Sequence, residues 1–115
     1  LGTGDRFGLQ GEAQLDAFIK AQESTLNVFP VWNKSFREHS ICGTTPESVR
    51  READQAVSVK GWNRPYFVDA DHISLKNVDM FTDSSDFFTL DVAEQIGIEA
   101  PGEEIGKFID FCKTK

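Results

Sequence analysis

Runs of apolar, β-branched and aromatic residues alternate with amphipathic helical patterns along this chain, and that alternation leaves few architectures open. Leu15, Phe18 and Ile19 form a one-sided stripe in a helix expected over residues 12–23. A second helix begins at Thr45-Pro46-Glu47, which offers a capping hydroxyl, a proline at the first helical position and an acid at the positive end of the helix dipole. Its buried stripe is Val49, Ala53, Ala56 and Val57, and Gly61 supplies its stop. A last helix follows Pro101-Gly102, with Ile105, Phe108, Ile109 and Cys112 on one face. Strand-like segments fall at 27–32, 64–69 and 85–91, with a shorter one at 5–9. The order is strand, helix, strand, helix, strand, short helix or loop, strand, helix. Strands apolar on both parities suit a parallel sheet covered by helices, so the fold class is α/β with alternating strand-helix units. A complete (β/α) barrel takes about 250 residues, and the 115 residues of this chain make roughly half of one or a small open sheet.

Composition narrows the partners. Hydrophobic residues are 39% of the chain and aromatics 11%, enough for one core and too many for disorder, so residues 1–115 read as a single segment. Twelve Lys and Arg against 19 Asp and Glu give a net charge of -7, which repels phosphate backbones and anionic lipid. Neither nucleic acid nor a membrane is expected as a partner. No apolar run is long enough for a membrane span, and a start at Leu1 instead of Met fits a processed or excerpted chain. Cys42 and Cys112 lie far apart without Cys-x-x-Cys spacing, as in a reduced, cytoplasmic protein. No glycine-rich loop matches a nucleotide-binding fingerprint.

In parallel α/β sheets the functional side chains gather where strands end. That rule selects Asn33, Lys34, Ser35, Arg37 and His39 after the second strand, with Asp5 and Arg6 counted on the first. It selects Asp69, Asp71 and His72 after the third, and Asp91 at the end of the fourth. Extended backbone puts Asp69 and Asp71 on one face and His72 on the other, unless the chain turns there. Carboxylate oxygen with imidazole nitrogen suits Zn, Mn, Fe or Co, whereas the plainer role for the same residues is a helix-capping acid beside a surface histidine. Lys34 and Arg37 are a basic pair able to hold a carboxylate or phosphate, or simply surface charge. Asp91, between Leu90 and Val92, needs a partner if buried and is a ligand, a base or a structural acceptor.

Several of these stretches together resemble the tagaturonate epimerase family. They are Gly4-Asp5-Arg6-Phe7-Gly8, Pro30-Val31-Trp32-Asn33-Lys34-Ser35 with Arg37-Glu38-His39, Gly43-Thr44-Thr45-Pro46, Tyr66-Phe67-Val68-Asp69-Ala70-Asp71-His72-Ile73 and Asp86-Phe87-Phe88-Thr89-Leu90-Asp91-Val92. The match runs in order from near Leu1 to about Gly97. Members are similar to metal-dependent barrel enzymes, several times longer than this chain, that interconvert tagaturonate and fructuronate in hexuronate catabolism. The resemblance therefore implies the N-terminal part of a TIM-like barrel, a sugar-acid substrate, a divalent metal ion such as Zn or Mn, and a partner in the remainder of the barrel. It implies Asp71 and His72 as metal positions, Asp69 and Asp91 as base or supporting acids, Lys34 and Arg37 for the uronate carboxylate, and Asn33 for sugar hydroxyls. The carbon that inverts is β to the ketone and not acidified by it, so retro-aldol cleavage, rotation of the aldehyde and re-addition is the economical route. Half a barrel leaves an apolar edge open, which invites another segment or a second copy and predicts that the chain alone is inactive. Two other readings compete: a different sugar-acid or sugar-phosphate isomerase or aldolase, and a non-catalytic α/β module that dimerises through its sheet edge.

Overall fold

A computed structural model describes residues 1–24 and 26–115. Four strands, β1 (Gly2–Gly4), β2 (Val31–Ser35), β3 (Phe67–Ile73) and β4 (Phe87–Leu90), form one parallel sheet in the order β1-β2-β3-β4. Helix α1 (Gly11–Glu23) joins β1 to β2, and α2 (Phe36–Cys42) with α3 (Pro46–Lys60) joins β2 to β3. A 3-10 turn at Val78–Met80 precedes β4, and α4 (Gly102–Lys113) follows it. Among the described residues no helix is long and apolar enough to cross a membrane.

Parallel crossovers are right-handed, so a sheet wound always in one direction receives its helices on one face. The core records this: Leu15 and Phe18 of α1 and Val49, Ala53 and Ala56 of α3 pack with Trp32 of β2 and Val68 of β3. A second cluster, Ala70, Ile73 and Phe81, continues that layer under the 3-10 turn. Emptying a site such as Leu15, which is fully buried, costs about 2–5 kcal/mol in cores of this kind. On the other face, Gly2, Val31, Asn33, Asp69, Phe87 and Thr89 line a depression of about 240 Å³.

The expected succession holds apart from one added helix, and the limits of the elements move for physical reasons. The strand expected at 5–9 is a turn, because the Asp5 carboxylate accepts the backbone N–H groups of Phe7, Leu9 and Gln10 at 3.0, 2.6 and 2.7 Å. The ladder of β2 starts at Val31 because Pro30 has no N–H to give; its carbonyl still accepts from Phe67 at 3.1 Å. Helix α2 was not among the expected helices, yet Ser35 and Glu38 form a reciprocal capping box and Gly43, left-handed at φ 63°, closes it. Strand β3 runs on to Ile73, so Asp71 and His72 lie within the ladder and not beyond it. Helix α4 forms where its apolar periodicity places it, with Ile105, Phe108 and Ile109 exposed.

Candidate active site

The open face of the sheet is apolar toward the strand starts and polar above. Phe67 and Phe87 meet edge to face there, with ring centroids 5.2 Å apart. Register then aligns Gly4, Asn33, Asp69 and Phe87 across the four strands. Asp69 Oδ2 accepts the Thr89 hydroxyl at 2.8 Å, while Oδ1 is occluded from water and has no hydrogen-bond partner among the described residues. The Asn33 carboxamide, half-buried, lies against β1 beside Gly2 and Gly4. Two residues further along β3, Asp71 pairs in register with Ser35.

Strand alternation alone would turn His72 to the helix side, and a bulge prevents that. Ala70 pairs with Phe88 and Ile73 with Leu90, so Asp71 and His72 together stand opposite the single residue Thr89. His72 takes up the extra residue with φ 50°, a left-handed conformation rare for a side chain with a Cβ. Its imidazole is thereby exposed, with Nε2 3.7 Å from Asp71 Oδ1. The pair offers one oxygen and one nitrogen donor, a set that suits Zn or Mn. Such an ion takes three or more protein ligands at a catalytic site, and no group of three His, Cys, Asp or Glu able to hold one occurs among the described residues. The pair fits a metal as part of a ligand set.

Other expected site residues fall elsewhere. Lys34 shares the helix-covered face with Trp32, is only 2% exposed, and lies near the Glu38 and Glu52 carboxylates and the His39 ring, so it does not form a carboxylate clamp with Arg37. Arg37 stands exposed on the first turn of α2, near the strand ends. His39 is buried against Phe81, with Nδ1 2.9 Å from Thr44 Oγ1. Burial, and secondarily Lys34, lowers its pKa to about 4. Asp91 is not an acid inside an apolar strand: it is exposed just beyond β4, its carboxylate accepts the Ala93 N–H at 2.9 Å, and its own N–H reaches Ile73 O at 2.8 Å.

Three features escaped sequence reasoning. Thr89 looks like ordinary strand composition until β4 is set beside Asp69. Glu52, on α3 beside the start of α1, has its carboxyl pushed up by burial and by the Asp5 carboxylate, while the amides of Gly11 and Gln10 pull it down. Asp86 fastens β4: its carboxylate accepts from Val68 N at 2.8 Å and from Arg50 Nη2 at 2.5 Å. No sequence motif signals the last two, because their partners come from distant elements.

Four parallel strands in sequence order, with α1, α2 and α3 packed on one face and polar residues toward the strand ends on the other, make this chain an α/β unit of the kind that carries enzyme sites at the C-terminal ends of its strands. The tagaturonate epimerase family matches residues 1–107, and the chain belongs to that family. It is similar in structure to the fructuronate-tagaturonate epimerase of Cohnella laeviribosi, solved in complex with glycerol, with a TM-score of 0.75 and 27% identity. The likeness covers 95% of this chain and 22% of that one, so the chain spans about a fifth of the solved relative's length. No protein with a curated description matches it significantly.

Proposed function

We propose that the chain is the N-terminal part of an epimerase that interconverts tagaturonate and fructuronate, with its open sheet face turned to the inside of a (β/α) barrel. The family match over residues 1–107 carries this reading. The one-way winding supports the barrel, since strands in sequence order with helices outside are its repeating unit.

In this reading Asp71 and His72 would supply part of the ligand set of a divalent ion, and the chemistry that ion would bring is Lewis acidity toward the sugar carbonyl. Asp69 is the base for the hydroxyl on the inverting carbon, with Thr89 holding Oδ2 so that the carboxylate keeps one orientation. Asn33 gives one donor and one acceptor to neighbouring hydroxyls. Arg37, exposed on the first turn of α2, is the residue we assign to the uronate carboxylate. Loss of the hydroxyl proton lets the adjacent C–C bond break, the aldehyde rotate and the bond re-form on its other face. The protein acts in the cytoplasm on a small sugar acid.

The test is tagaturonate turnover in deuterated water, using the complete enzyme and the isolated chain of 115 residues. The complete enzyme should form fructuronate without deuterium at the inverted carbon, and the isolated chain should form none. Deuterium at that carbon would refute the cleavage route, and turnover by the isolated chain would refute its dependence on the rest of the barrel.

A further inference from the structure

Glycine inside a strand is costly unless something must lie close to the backbone. Strand β1 is Gly2-Thr3-Gly4, and neither glycine has the positive φ that marks Gly8, Gly43, Gly61 and Gly97. Their requirement is for space, and the space is filled from β2. A Cβ built on Gly4 would stand 2.5 Å from Asn33 Oδ1, a distance real Cβ atoms do not show. A Cβ on Gly2 would stand 3.3 Å from Asn33 Nδ2, and on Gly4 the Asn33 backbone oxygen would be at an ordinary 3.6 Å. The conflict at Gly4 is therefore with the Asn33 carboxamide and not with the backbone. A methyl group there would displace that side chain while leaving the strand pairing intact.

We propose that Gly4, assisted by Gly2, is a positioning residue: its bare backbone is the seat on which the Asn33 carboxamide lies flat, one strand away from the Asp69 carboxylate. This rests on the epimerase reading for its ligand, a polyhydroxylated acid. An amide that donates and accepts, set beside a carboxylate that only accepts, matches a chain of adjacent hydroxyls. Thr89 fixes the carboxylate from the far side, so the two polar groups are each held by a neighbouring strand. Freed from its seat, Asn33 would swing into the depression that it lines and occupy the place of the hydroxyl it serves.

The experiment is a double-mutant cycle in the complete enzyme with Gly4→Ala, Asn33→Ala and both together, reading kcat, KM and melting temperature. Each single variant should lower kcat/KM for tagaturonate by about tenfold, the size of one lost hydrogen bond, mainly through a raised KM. The double variant should be no worse than Asn33→Ala alone. Losses that multiply to about a hundredfold would overturn the proposal, as would a Gly4→Ala enzyme with wild-type KM. If the wild-type enzyme does not epimerise tagaturonate, the functional reading has failed and heat decides the seat. A melting penalty for Gly4→Ala that disappears when residue 33 is alanine upholds it, and an equal penalty in both backgrounds overturns it.

Discussion

Replacing His72 separates two roles that the structure combines in one residue, a donor beside Asp71 and a side chain forced into left-handed backbone. The left-handed region costs a residue with a Cβ about 1–2 kcal/mol, and glycine returns about 0.5–1 kcal/mol of that as extra freedom in the unfolded chain. In metal-free protein, His72→Gly should therefore be more stable than His72→Ala by about 1 kcal/mol. Alanine keeps the Cβ and so the strain, and neither variant keeps the imidazole. Both should lose bound metal equally, because the nitrogen donor is gone in each. Denaturant melts of chelator-treated enzyme give the first comparison, and elemental analysis of the purified proteins gives the second. Glycine no more stable than alanine would refute the strain argument. Full metal stoichiometry in either variant would remove His72 from the ligand set, whatever the melts show.

Thr89→Val keeps shape and removes the hydroxyl that Asp69 Oδ2 accepts at 2.8 Å; kcat/KM should fall about tenfold with little change in melting temperature, and unchanged kinetics would detach Thr89 from the chemistry. Because burial holds His39 at a pKa of about 4 against an ordinary 6.5, the unfolded chain binds its proton first as pH falls. The neutral ring's contribution is whole above pH 6.5 and drains away down to about 4, on the order of 3 kcal/mol in all. Unfolding midpoints measured across that interval should drop less in His39→Gln, and parallel slopes would contradict the assignment.

Much of the fold was legible from local pattern. Apolar spacing on one helical face identifies α1, α3 and α4, and Thr45-Pro46 and Gly61 bracket α3. The capping box of Ser35 and Glu38 is equally local, and its Ser-x-x-Glu spacing marks the start of α2. Of the site, the shared face of Asp69 and Asp71 follows from a period of two. Lys34 illustrates the limit. Its parity opposite to Asn33 is certain once β2 is placed, but which parity the helices cover depends on the winding of three crossovers.

By itself, then, the sequence determined the α/β class, the succession of elements and the residue types available near the strand ends, because propensity, capping and hydrophobic period act between residues a few positions apart. Tertiary structure decided which of them meet. The bulge that turns His72 toward Asp71 exists only against β4, the Thr89 bond to Asp69 only in that register, and the seat for Asn33 only because two glycines of β1 lie beside it. Asp91 shows the same dependence in reverse: its apolar neighbours suggest burial, yet β4 is an edge strand exposed along its length, and Leu90 and Val92 lie in water with Asp91. Register and burial arise from strands brought together over long separations, and no local pattern encodes them.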